Sequence, residues 1–352
     1  MEKKLFAFYL DTSIHQIGYI AGLLNKMDNS VLYTDSDASL GILKKNFPEI
    51  NVKYYSSFND IINAMKSDGV KVLILQDFHY KKFNPLRDEE VKFVQIFHGT
   101  SDKTYNTNKE IVHYDLVCVS GSKMLQDMEK KGLNKNKNCI ITGNLKADMV
   151  FNKVYDRDRE VKNLGLDPGK KNVLYAPTWI DGMGNSSFKK FGLFLHDYFP
   201  QEYQLTIKLH PNIYLYKSDL VAKLKENIKG SKNILLLEEN IKIYEIIPVL
   251  AASDALMTDV SGVSHEYIAF LRPMIFLNNK NLLRYFYGKA RLRIWKAGDV
   301  VSSLEDLPKT IKNNLDNPNR YKKIQEQILH EIYDYTDGKC AQRIIEAVNA
   351  LL

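Results

Sequence analysis

Cysteine is scarce: the chain has 352 residues and 3 are Cys. Cys118 lies in the apolar run Leu116-Val117-Cys118-Val119 and Cys139 in Cys139-Ile140-Ile141, so both read as small core residues. Cys340 lies in the last helical pattern. No Cys-x-x-Cys or paired His/Cys spacing is present, which argues against a disulfide framework and a zinc module. Long apolar runs are also lacking. The run Leu5 to Leu10 behind Met1-Glu2-Lys3-Lys4 is too short for a signal peptide, and nothing approaches the ~20 apolar residues of a membrane span. The expectation is a cytoplasmic protein, with peripheral attachment to the inner face of the membrane as the remaining membrane mode. No strand-like run leads into Gly-x-Gly-x-x-Gly, which weakens a dinucleotide reading. Repeats and low-complexity tracts are missing.

What is present is an ordinary globular composition, 45% hydrophobic and 26% charged, with a formal net charge of +7. The length suits about two domains of roughly 150 residues each. The positive balance favours acidic partners such as phosphorylated substrates or an anionic membrane surface. Nucleic acid is disfavoured, because the basic stretch Lys130 to Lys137 lacks the interleaved aromatics of a single-strand platform.

Short apolar runs alternate with helical patterns along the whole chain. Strands are expected at Lys4 to Leu10, Val31 to Thr34, Val52 to Tyr55, Val70 to Leu75, Phe93 to Phe97, Leu116 to Val119 and Cys139 to Thr142. After the charged stretch Asn152 to Lys171 the pattern restarts at Val173 to Ala176, Gln204 to Leu209, Ile234 to Leu237, Ala255 to Thr258 and Met274 to Leu277. Helical patterns close the chain around Leu304 to Leu315, Tyr321 to Ile332 and Cys340 to Leu351. The fold class is therefore α/β: two facing, Rossmann-like, doubly wound domains with C-terminal helices. The first is expected over residues 1–152 as the acceptor side. The second, over 153–352, would bind the donor and carry the terminal helices.

Chemistry-bearing residues gather where strands stop at turns, the edge at which open α/β sheets bind ligands. Val91 to Phe97 runs into His98-Gly99-Thr100, with Lys103 beyond to meet an anion. Tyr203 to Leu209 runs into His210-Pro211, and Lys208 shares a strand face with His210. Leu174-Tyr175-Ala176-Pro177 runs into Thr178-Trp179. Ala255 to Met257 runs into Thr258-Asp259-Val260-Ser261-Gly262 and then a helix carrying Glu266. A helix start offers unpaired N–H groups to a phosphate, Ser261 a hydroxyl and Gly262 close backbone approach. Glu266, one turn in, could accept both hydroxyls of a ribose. Each motif also has a plainer reading: a hydrogen-bonded strand-end histidine, a core Trp179, an ordinary N-cap at Ser261 with a first-turn carboxylate.

Together the motifs resemble the CDP-glycerol glycerophosphotransferases of teichoic-acid and related polymer synthesis. The matching residues are His98-Gly99-Thr100 with Lys103, Tyr175 to Trp179, Lys208 to Pro211, Thr258 to Gly262 with Glu266, and Asp337-Gly338-Lys339, in the family's order. Departures are Ser101 for a proline, Lys146 for the arginine of Gly-x-Pro-Arg-x-Asp, Val260 for a tyrosine and Gly262 for a serine. The resemblance implies a GT-B-like transferase with CDP-glycerol as donor substrate and no required cofactor, a diffusible Mg²⁺ remaining compatible. The acceptor it implies is a lipid-linked or polymeric glycan. The long amino-terminal extension of the family's polymerases is absent, which fits a primase-like or short capsule-type member. His98 would be the general base on the acceptor hydroxyl and His210 a contact to the transferring phosphate. Donor contacts would come from Thr178, Trp179, Lys208, Thr258, Asp259, Ser261, Gly262 and Glu266. Gly99, Thr100 and Lys103 would lie on the acceptor or phosphate side. No metal ligands are expected. A nucleotide-sugar glycosyltransferase, a UDP-GlcNAc 2-epimerase-like enzyme and a non-catalytic nucleotide-sugar binder share the same pattern.

Overall fold

A computed structural model describes residues 5–13, 16–100, 104–135, 138–180, 184–238, 246–279 and 292–352. The first sheet holds β1 (Leu5–Tyr9), β2 (Ser30–Thr34), β3 (Val52–Tyr54), β4 (Val70–Leu75), β5 (Lys92–Ile96), β6 (Leu116–Val119) and β7 (Cys139–Ile141). The second holds β8 (Asn172–Tyr175), β9 (Gln204–Lys208), β10 (Ile234–Leu237), β11 (Ala255–Thr258), β12 (Met274–Leu277) and β13 (Asp299–Val301). Their orders are β3-β2-β1-β4-β5-β6-β7 and β10-β9-β8-β11-β12-β13, and every pairing is parallel. Both are doubly wound sheets whose strand order reverses once, between β1 and β4 and between β8 and β11.

The apolar runs form strands because both faces are covered. All residues of β6, β8, β11 and β12 are buried, as in parallel sheets flanked by helices on both sides. Each sheet has an apolar core on either face. The expected strands are all present, within a residue or so at their ends. Only β13 escaped notice, because Asp299-Val300-Val301 is too short to stand out from its surroundings.

One helix joins the two halves, and the last helix returns to the first. Leu145–Phe151 follows β7 and contributes Leu145 and Met149 to the first core and Ala147, Val150 and Phe151 to the second. The last helix, Cys340–Asn349, was expected to belong with the second half. It packs instead into the first core through Cys340, Ala341, Ile344 and Val348. Its apolar stripe needs a covering face, and it completes one core of the first sheet. Gly338 makes the return possible: its φ is +68°, and a Cβ there would collide with the Asn152 side chain. The N–H of Cys340 then donates to Asp148 Oδ2 at 2.7 Å, tying the helix start to the crossing helix.

Candidate functional site

The turn after β5 and the helix after β11 approach each other at Gly99 and Glu266. His98 follows β5 and Asp77 follows β4, its neighbour in the sheet. His98 Nδ1 lies 2.7 Å from Asp77 Oδ1. The other carboxylate oxygen accepts from Gln16 Nε2 at 2.7 Å. The His98 N–H donates to the Gln76 carbonyl at 3.2 Å. With Asp77 beside Nδ1, a neutral His98 that carries its proton on that nitrogen would have Nε2 as its basic atom. Nothing in the local sequence around His98 pointed to Asp77. The signal was the equivalent position one strand back, where Gln76-Asp77 ends β4. On the same edge His79 Nε2 lies 3.6 Å from Asp11 Oδ2.

His210 is held differently. It precedes the helix Pro211–Tyr216, and its Nδ1 accepts from the Asn212 N–H at 3.2 Å. A neutral ring so capped carries its proton on Nε2 and presents a donor rather than a base. The two histidines therefore offer opposite chemistry: a proton acceptor after β5 and a proton donor after β9. Lys208 is the last residue of β9, half-buried beside this turn.

The turn after β11 separates residues that frame the site from residues that face it. Asp259 is fully buried; its Oδ1 accepts from the Thr178 N–H at 2.9 Å. Its Oδ2 accepts from the N–H and hydroxyl of Ser187 at 2.7 and 2.8 Å. The Thr258 hydroxyl donates to the Ala176 carbonyl at 2.7 Å. Thr258 and Asp259 were expected to touch the donor. They brace the loop after β8 instead, because these bonds turn both side chains into the protein. Thr178 is buried within that loop, whereas Trp179 is 37% exposed. A core role for Trp179 is thereby ruled out.

Ser261 and Gly262 are half-buried at the start of the short helix Val263–Tyr267. The Ser261 hydroxyl accepts weakly from the Val263 N–H at 3.4 Å. Glu266 points toward the first sheet. Its Oε1 accepts from Lys146 Nζ at 2.7 Å, and both side chains are nearly buried, at 8% and 12% exposure. A Cβ placed on Gly99 would lie 3.6 Å from the same oxygen. The His98-Gly99 turn, Lys146 and Glu266 thus meet at one point between the sheets. Thr100 is buried behind the turn, and Lys103 lies outside the described residues. Among the described residues no group of three or more His, Cys, Asp or Glu is placed to hold a metal ion.

Strand-end histidines of complementary proton chemistry, in two doubly wound halves that meet at Gly99, Lys146 and Glu266, suit group transfer from a nucleotide. The sequence profile of the CDP-glycerol:poly(glycerophosphate) glycerophosphotransferases matches residues 31–350. The chain belongs to this family.

Among relatives, the teichoic acid glycerol-phosphate primase of Bacillus subtilis (strain 168) is 24% identical over 92% of this chain and 85% of its own. The teichoic acid ribitol-phosphate polymerase TarK of Staphylococcus aureus (strain NCTC 8325 / PS 47) is 24% identical over 60% of this chain. This chain spans only 40% of TarK. The fold matches the wall teichoic acid polymerase TagF with a TM-score of 0.72 at 17% identity, covering 99% of this chain and 88% of that one. It also matches the UDP co-structure of S. aureus MnaA, with a TM-score of 0.66 at 14% identity over 99% and 97% of the two chains. The architecture is thus the two-domain, doubly wound one expected from the strand pattern, and GT-B-like as the resemblance implies.

Proposed function

We propose that this protein transfers glycerol phosphate from CDP-glycerol to a hydroxyl of a lipid-linked or polymeric glycan acceptor and releases CMP. The observation that carries the reading is the Asp77–His98 pair, set against Glu266 across the Gly99 turn. The acceptor enters along the edge of the first sheet. His98 Nε2 takes the proton of its hydroxyl, and the oxygen attacks the phosphorus that bears glycerol. A new P–O bond forms as the bond to the bridging oxygen of the diphosphate breaks. The electron pair leaves on CMP. The His210 Nε2–H donates to the transferring phosphate or the departing CMP, which suits a reaction governed by positioning and charge stabilisation. The turn Ser261-Gly262 cradles the diphosphate, Glu266 accepts from the ribose hydroxyls, and Lys208, Thr178 and Trp179 line the donor side. Gly99 lies on the acceptor or phosphate side, with Thr100 buried behind it.

Contact with the membrane is peripheral in this reading. Among the described residues no helix is long and apolar enough to cross a bilayer. The net charge of +7 favours an anionic lipid surface. The deciding experiment offers CDP-glycerol, CDP-ribitol and UDP-sugars in turn, with a teichoic-acid-type acceptor, and measures nucleotide release. CMP from CDP-glycerol, dependent on acceptor, is expected. UDP release from a UDP-sugar without acceptor would replace the proposal with an epimerase.

A further inference from the structure

Lys146 departs from the family's arginine, and it stands where the two halves meet. It is the second residue of the helix Leu145–Phe151, whose N-cap Asn144 accepts from the N–H groups of Lys146 and Ala147 at 3.0 and 3.1 Å. That helix packs against both cores, so its first turn is carried to the seam between the sheets. There the ammonium meets Glu266 Oε1 at 2.7 Å and lies 5.3 Å from the centre of the Tyr19 ring. Tyr19 belongs to the first sheet's core and Glu266 to the second half. A lysine held from both sides this way, with its side chain 12% exposed, is a placed charge rather than a solvated one.

We infer that Lys146 is a donor-binding residue whose ammonium meets the diphosphate of the nucleotide while its partner Glu266 holds the ribose. The inference rests on the reading of Glu266 as the ribose acceptor. Chemical connectivity then does the rest. The diphosphate hangs from the ribose 5′ carbon, a few bonds from the 2′,3′ diol. A cation touching the carboxylate that grips the diol is therefore within reach of the phosphates. Neither group has to surrender the other: an ammonium carries three N–H donors, and a carboxylate has about four acceptor sites. Lys146 and Glu266 neutralise each other as a pair, so the diphosphate adds negative charge that the ammonium offsets in part. A donor whose diphosphate bears two negative charges brings an anion that a nearly buried ammonium is suited to meet. Because Lys146 sits on the crossing helix, this contact also ties the donor to the element that joins the two halves.

The test is calorimetric binding of cytidine, CMP and CDP-glycerol to the full chain and to Lys146→Met and Lys146→Arg. Loss of a charge-assisted contact to phosphate predicts that Lys146→Met weakens CDP-glycerol about tenfold or more. Cytidine, which has the diol and no phosphate, should change less than about twofold, and CMP should fall between. Lys146→Arg should bind CDP-glycerol within about threefold of the parent, since it keeps the cation. Melting temperatures identify a variant that fails to fold, and Lys146→Arg then still carries the comparison through its dependence on salt. Equal losses for cytidine and CDP-glycerol would overturn the inference and reduce Lys146 to a support for Glu266. An unchanged affinity for CDP-glycerol in Lys146→Met would also overturn it. Failure of the parent chain to bind any of the cytidine ligands would instead remove the donor reading beneath it.

Discussion

Replacing Asp77 with asparagine tests the proposed base without touching it. The two carboxylate oxygens face different nitrogens, each at 2.7 Å: His98 Nδ1 lies beside one, and Gln16 Nε2 donates to the other. Asparagine keeps the shape but offers one oxygen and one NH₂. Two donors then compete for one acceptor. Where the NH₂ faces the imidazole, Nδ1 must accept, and the ring proton moves to Nε2. The lone pair that should take the acceptor proton is then absent. Loss of a general base costs about 10²–10⁴-fold in rate, or about 3–5 kcal/mol in the barrier. The outcome expected for Asp77→Asn is a fall in CMP release within that range, with the affinity for CDP-glycerol within about twofold of the parent. Steady-state CMP release, calorimetric donor binding and thermal melting together make the measurement. A merely structural aspartate would lower the melting temperature and weaken donor binding in step with turnover. Near-parent turnover in Asp77→Asn would refute the assignment of His98 as a base held in one tautomer by Asp77.

Further outcomes follow from the same geometry. Glu266→Ala should weaken CDP-glycerol by roughly ten- to a hundredfold, because a hydrogen bond to a charged group is worth about 1.5–3 kcal/mol; unchanged calorimetric affinity would leave Glu266 as the partner of Lys146 only. Asp259→Ala should destabilise the fold by about 3 kcal/mol or more, since it strands the donors of Thr178 and Ser187 in the interior; a denaturant midpoint like the parent's would contradict its role as a brace. Asp148 is expected to make stability depend on pH. Burial pushes its carboxyl up to about 6 from an ordinary 3.8, against the pull of the Cys340 and Ala341 N–H groups. The folded state then binds the proton more tightly, so this contribution is complete below about pH 4 and lost as pH rises through about 6. Asp148→Asn should flatten that slope in melting curves, and an unchanged slope would assign it to other groups. Binding to anionic vesicles should weaken as salt rises from 0.1 M to 1 M, where the Debye length falls from about 10 Å to about 3 Å; salt-resistant, detergent-sensitive attachment would indicate an apolar anchor.

The sequence by itself determined the strands and what stands at their ends. An apolar run followed by a turn is a local pattern, and it needed no knowledge of neighbours to place His98, Thr178, His210 and Ser261 at carboxyl edges. It also determined the doubly wound class, since alternating strands and helices have few other ways to bury both faces of a sheet. Periodicity is silent, however, on which strand lies beside which. Asp77 became the partner of His98 only because β4 and β5 are adjacent in the sheet. The pairing of Lys146 with Glu266 joins residues 120 apart along the chain, and no local window contains both. Tertiary packing likewise turned Asp259 inward, where buried donors of Thr178 and Ser187 needed an acceptor. It also sent the helix Cys340–Asn349 back to the first core. Each of these outcomes was decided by burial: a polar group or an apolar stripe taken out of water must find a complement, and only the folded chain determines which complement is within reach.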